Sequence, residues 1–343
     1  MKMHTFASAV GAALLAGSVF SFGAAADPVA DFYRGKTVTV VVAAGPGGAH
    51  TQYSQLLAPY WKKYMPGNPD FITQNMGGAG GTRGANFIYN TAPQDGTTIG
   101  ILLSDTPLAS RLQATGVKYV ADKFHYLGGA DQPRSAFIVY KSEGVLSIED
   151  AKKKEIVLGS TGKGSQTYTV PMMTNAFLGT KFKVITGYQG MGGVYLAMDR
   201  KEVFGFQSVW DSVKFLRPQW IEKDEIAVIA AVANSPLPDM PDVPLLHNMI
   251  DNPIDKKAIQ LMAGNATLGR GWLAPPGVPA DRVAALREAF AKAFKDPEAI
   301  AEAKKRNMPW DNASWQDMQE QAEQIVNADD AVIKRMQDAL GVN

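Results

Sequence analysis

The sequence predicts an α/β protein in two halves, each a mostly parallel sheet flanked by helices. Three observations carry that reading. Short β-branched runs alternate with helical periods from Lys36 onward, as in βαβ units. The first strand, "KTVTVVVAA", is apolar without alternation, which marks burial on both faces of a parallel sheet. Glycine-rich turns stand between a strand and a helix four times, twice in each half.

The elements follow in order. The helix after "GPGG" carries Tyr53, Leu56, Leu57, Tyr60, Trp61 and Tyr64 on one face, at i, i+3, i+4, i+7, i+8 and i+11. Trp61 and this tyrosine stripe read as core, and Pro59 should bend the helix. A second strand, "DFITQN", runs through "MGGAGG" into the helix "TRGANFIYNTA", and "TTIGILLS" is a third strand. The second half repeats the plan with strand "AFIVYK", helix "SIEDAKKK" and strands "EIVLGS", "FKVITGY", "VFGFQS" and "EIAVIAAVA". The tail is helical. "ADRVAALREAFAKAFK" puts Val283, Leu286, Phe290 and Phe294 on one face, and "SWQDMQEQAEQIVNADDAVIKRMQDALG" reads as one long helix closed by Gly341.

Composition narrows the function. The 343 residues hold 34 Lys and Arg against 33 Asp and Glu, so nothing favours nucleic acid or an anionic membrane as partner. The opening "MKMHTFASAVGAALLAGSVFSFGAAADP" has one basic residue, an apolar run and small residues before Asp27. It reads as a secretory signal over residues 1–26, with the mature chain starting at Asp27; an uncleaved anchor is the weaker alternative, since Gly and Ser break the run. Without Lys2, 33 basic residues face 33 acidic ones. The absence of cysteine excludes disulfides, thiolate metal sites and a cysteine nucleophile, and fits a bacterial periplasm.

The four turns are "GPGGAH", "GGAGGTRG", "GSTGKGSQT" and "GYQGMGG". The free N–H groups of a helix's first turn, with the helix dipole, suit a negative group. Any one turn is equally well a tight connection with no ligand; four in one chain look like backbone claws on one cleft. A nucleotide phosphate is not the expected anion. "GSTGKGS" puts Gly164 where a P-loop needs a hydroxyl, and "GPGGAH" puts His50 where a dinucleotide fingerprint needs a small residue. No His-Glu-x-x-His, no G-x-S-x-G and no metal-ligand spacing is present, so neither enzyme nor cofactor is expected. His50 either touches a ligand or lends polarity to a helix start. His247 reads as structural.

These residues resemble the Bug family, the periplasmic solute-binding receptors of tripartite tricarboxylate transporters. "FYRGKTVTVVVAAGPGG" is similar to their opening strand and first loop, and "QNMGGAGGTRGANFIYNTAPQDGTTIGILL" to the second. "GYQGMGG" resembles a Tyr-x-Gly-Gly turn, and "GRGWLAPPGVPADRVAALREAFAKAFKDPEA" their C-terminal Ala-Pro-x-Gly-x-Pro segment. The likeness covers essentially the whole mature chain. It implies a two-lobed Venus flytrap that closes on a small organic carboxylate and delivers it, as a monomer, to a large and a small membrane subunit. The alternative is an extracytoplasmic sensor feeding a histidine kinase.

The resemblance implies a ligand site at Ala44, Gly45, Gly47, Gly48 and His50, and at Gly78, Ala79, Gly80 and Gly81 of the first lobe. From the second lobe come Ser160, Thr161, Gly162, Ser165, Gln166, Tyr188, Gly190, Gln207 and Trp210. The chain departs from the family pattern at Ala44, at Ala49 to Thr51, at Gly187 and at Gln207. Room at Ala44, with faces from Tyr168, Tyr188 and Trp210, suggests a bulky or aromatic acid. Arg83, Arg134 and Lys163 read either as partners of a second carboxylate or as surface residues. The expected lobes are 27–131 plus 236–343, and 132–235.

Overall fold

In the first half the strand buried on both faces sits inside its sheet, because its alternate side chains have two separate cores to fill. In a computed structural model, which describes residues 1, 3, 27–112 and 116–342, Val38, Val40 and Val42 join one apolar cluster, and Val41 with Ala43 joins another. The expected leader and its cleavage point lie outside the described residues, apart from Met1, Met3 and Asp27 itself.

The strands are β1 Thr37–Val42, β2 Asp70–Asn75, β3 Thr98–Ile101, β4 His125–Gly129, β5 Ser135–Tyr140, β6 Ile156–Gly159, β7 Phe182–Ile185, β8 Gly205–Val209, β9 Ile226–Val232 and β10 Gly271–Ala274. The helices are α1 Pro28–Tyr33, α2 Ala49–Tyr64, α3 Thr82–Asn90, α4 Thr106–Arg111, α5 Ile148–Lys153, α6 Gln166–Leu178, α7 Met191–Asp199 and α8 Trp210–Leu216. They continue as α9 Pro218–Glu222, α10 Pro253–Gly264, α11 Ala280–Phe294, α12 Pro297–Lys305, α13 Trp315–Val326 and α14 Asp330–Leu340.

Two five-stranded sheets result, ordered β2-β1-β3-β10-β4 and β7-β6-β8-β5-β9. In the first, β1 pairs in parallel with β2 and β3, and β10 runs antiparallel between β3 and β4. In the second, β6 pairs in parallel with β7 and β8, and β5 runs antiparallel between β8 and β9. Both lobes thus have one topology, mostly parallel with one reversed strand, and the strands change lobe twice, from β4 to β5 and from β9 to β10.

Trp61 stacks on Phe71 and meets Trp272 and Phe290 edge-on; with Tyr53, Leu56 and Leu57 it is core as expected, whereas Tyr60 and Tyr64 are half-buried at the edge of that cluster. Gly341 caps α14 in the left-handed region, where a glycine C-cap fits. The long C-terminal helix is instead two. Asn327 ends α13, and Asp329 starts α14 by accepting from Ala331 N at 2.8 Å. Within the stretch 236–343, α11 packs on α2 and β4 of the first lobe, whereas α10 and α14 pack on α6 of the second. Tail helices therefore lie against both sheets.

Candidate functional site

Each glycine turn follows a strand and opens a helix: β1 into α2, β2 into α3, β6 into α6 and β7 into α7. All four meet at the cleft, in pairs drawn from opposite lobes. Gly45 N donates to the Gln189 carbonyl at 2.7 Å, and Gly80 N to the Thr161 carbonyl at 3.2 Å. The approach is backbone to backbone. A Cβ on Gly190 would stand 2.7 Å from Gly45 N, and one on Gly80 2.6 Å from Ser165 N. Several glycines expected to face a ligand therefore serve contact between the lobes, Gly190 in addition to lining the cavity.

Between the turns lies a cavity of about 60 Å³. Ala44, Gly48, His50 and Gly81 line it from the first lobe, and Thr161, Ser165, Gln166 and Gly190 from the second. Several helices begin at its wall without a side-chain cap, among them, one from each lobe, α2 after Gly48 and α7 after Gly190. Their first-turn N–H groups and positive dipole ends, one from each lobe, make the cavity receptive to an anion. The third turn is braced by hydroxyls, with Ser160 Oγ 2.9 Å from Thr167 Oγ1, and Thr161 Oγ1 2.8 Å from Ser165 Oγ.

The helix α6 is capped across the cleft. Gln166 N donates to the Asp105 carboxylate, which comes from the first lobe just after β3. Asp105 is buried, and burial pushes its pKa up to about 7, against the pull of the Gln166 and Asp105 amides. The unfolded chain loses this proton near pH 4, so the folded protein alone holds it between about pH 4 and 7. Stability therefore falls as pH rises through that window. Asp105→Asn keeps an acceptor and removes the charge. In urea titrations it should match the wild type at pH 4.5 and unfold at higher urea than the wild type at pH 8.

Sequence reasoning missed a buried cation. Arg270, 3% exposed, lines the cavity just before β10. Its Nη1 donates to Asp131 Oδ2 at 2.5 Å, its Nη2 to Ser212 Oγ at 2.5 Å, and its backbone N to Asp131 Oδ1 at 3.1 Å. Asp131 sits in the first crossover and Arg270 in the second, so the pair ties the two connections together. Burial pushes the Asp131 carboxyl upward while the guanidinium pulls it down. The available signal was a charged residue set directly before a buried strand, since a buried arginine needs a carboxylate. The partner, 139 positions away, was not readable. His50 is half-buried with its Nε2 covered; desolvation, then the nearby Arg270 charge, lowers its pKa to about 3, so the ring is neutral.

Other expected site residues stand off this cavity. Gly45 and Gly47 face the fourth turn, where a Cβ on Gly47 would lie 3.6 Å from Gly192 Cα. Gly78 lies beside Arg83, and Gly80 against the third turn. Ala79 and Gly162 line a separate cavity of about 560 Å³, with Lys163 and Tyr168. Ser160 is fully buried in the hydroxyl network. Trp210 is core, its Nε1 donating to Asp239 at 3.0 Å, and Tyr188 packs half-buried against the same cluster. Gln207 is fully buried opposite Phe137, on the α6 side of the second sheet. Arg83 is exposed, and Arg134 Nε reaches Ser235 Oγ at 3.5 Å; neither lines the cavity. Tyr195 supplies the aromatic lining found there.

Among the described residues, no three His, Asp or Glu are grouped to hold a metal, and no helix is long and apolar enough to cross a membrane. No family model and no curated protein matches the chain. Solved structures do. The periplasmic binding protein BugD aligns with a TM-score of 0.68 at 20% identity, over 91% of this chain and 99% of its own. MatC from Rhodopseudomonas palustris, with bound malate, aligns at 0.68 and 18% identity over 89% and 99%. An R. palustris protein with adipate aligns at 0.67 and 20% identity over 89% and 97%. The chain has the two-lobed α/β fold of periplasmic binding proteins.

Proposed function

We propose that this chain is a periplasmic solute-binding receptor of the Bug family, which closes its lobes on a small organic carboxylate and hands it to the membrane subunits of a tripartite tricarboxylate-type transporter. One observation carries the reading: uncapped helices from both lobes, α2 and α7, start at one enclosed cavity. Each brings free N–H groups and roughly half a positive charge. A carboxylate between them satisfies donors of both lobes at once, so binding favours the closed arrangement. The bound malate and adipate of two solved relatives are small organic acids, which supports the class of ligand.

The acid is small, because the cavity is only about 60 Å³, and the rings of Tyr168, Tyr188 and Trp210 stand off it while Tyr195 lines it. Binding, not turnover, is its role. Native mass spectrometry of the purified protein should release an organic acid, and calorimetry with acids of that class should give micromolar or tighter binding with the acid recovered unchanged. Saturable binding of neutral sugars or amines, with none of any acid, would overturn the proposal.

A further inference from the structure

The cavity holds a second polar feature, apart from the two helix starts. Arg270 Nε and His50 Nε2 are both buried and have no hydrogen-bond partner, and both residues line the cavity. We infer that the ligand carries, away from its carboxylate, a neutral hydrogen-bonding group, a hydroxyl or a primary amide, which Arg270 Nε and His50 Nε2 hold. This rests on the carboxylate-receptor reading above and narrows its ligand.

The neutrality follows from what surrounds those two nitrogens. Arg270 looks like a clamp for a second carboxylate, but its fork is occupied: Nη1 is on Asp131 and Nη2 on Ser212. Its charge is matched by Asp131 in a pair that is 3% and 2% exposed. Nε is left as the guanidinium nitrogen with no hydrogen-bond partner, and the charge behind it is already matched. A second carboxylate there would lose its hydration against a charge already matched.

His50 points to the same class. The ring is neutral, so it offers one N–H and one lone pair. Its Nε2 is buried and has no partner. An arginine N–H and an imidazole nitrogen, both unpartnered and on residues lining one cavity, suit a group that both accepts and donates. A hydroxyl does this, and so does a carboxamide. A carboxylate only accepts, and it would bring a further negative group to the wall that already holds Asp105. An alkyl end would leave both nitrogens unsatisfied, which is costly in a buried site.

The test is a panel of acids matched in length, from three to six carbons. Each length compares the ω-hydroxy acid, the ω-amide acid, the α,ω-diacid and the unsubstituted acid, by calorimetry on the full mature chain at pH 7. At the best length, the hydroxy or amide acid should bind at least tenfold more tightly than both the diacid and the unsubstituted acid. His50→Leu should cut that preference below about threefold, while His50→Gln, which restores an acceptor, should recover most of it. Thermal unfolding confirms that each variant is folded, and the wild-type panel decides the matter without them. A diacid that binds as tightly as the hydroxy acid would overturn the inference and leave the carboxylate reading standing. Failure of every acid to bind would overturn that reading and the inference with it.

Discussion

Gly192→Ala is expected to leave the protein folded and at least as stable as the wild type, yet to weaken binding of an organic acid by roughly a hundredfold, about 3 kcal/mol. Gly192 lies inside α7, where alanine is the better helix former by about 0.5–1 kcal/mol. Its own lobe therefore gains. The methyl group, however, would stand 2.5 Å from the Pro46 carbonyl oxygen, 3.0 Å from Gly47 C and 3.1 Å from Gly47 Cα, all backbone of the opposite lobe. No side chain can swing away, so the lobes must separate. The α2 and α7 N–H groups then no longer reach one ligand together. Small-angle scattering with saturating acid should show a larger radius of gyration than the wild type. Gly193→Ala is the control, since its Cβ would meet only the Tyr188 side chain at 3.5 Å. Wild-type affinity in Gly192→Ala would show that lobe contact at these turns is not needed for capture.

Gly48→Asp should abolish acid binding, by at least a hundredfold, while raising the unfolding temperature by a degree or two. Gly48 is the N-cap of α2, with φ −97° and ψ 169°, a conformation any residue adopts. A Cβ there has room, with Gly192 N at 3.9 Å and Met191 Cβ at 4.0 Å. The new carboxylate would accept from the first turn of α2 and lie near the start of α7. The protein would then carry its own anion in the ligand's place. Gly48→Asn, capping without a full charge, should weaken binding less. Unchanged affinity in Gly48→Asp would place the acid elsewhere.

Much of the architecture could be read from residues because it rests on local pattern. The unbroken valines of β1, the stripe of α2 and the left-handed cap at Gly341 each have a physical cause within a few positions. What escaped is non-local. "HYLGG" and "GWLA" carry little strand character of their own and pair with each other 140 or more positions apart. The α13–α14 break hides because Asn327 and Asp329 can continue a helical pattern as well as cap one. At the site, glycine spacing located the turns but not what each glycine faces: Gly48, Gly81 and Gly190 face the cavity, while Gly45 and Gly80 face backbone. Trp210 was an ambiguous ring until Asp239 bound its Nε1. Arg270 was a surface-type residue until Asp131 buried it.

The reversed strand of each sheet has a bearing on how the chain is made. β10 belongs between β3 and β4 yet lies beyond the entire second lobe in the chain. A ribosome or export channel releasing the polypeptide from its amino end presents β3 and β4 with facing edges bare until Ala274 has emerged. The first-born sheet is thus the last to be sealed, and a nascent chain stays open to threading until about four-fifths of it exists.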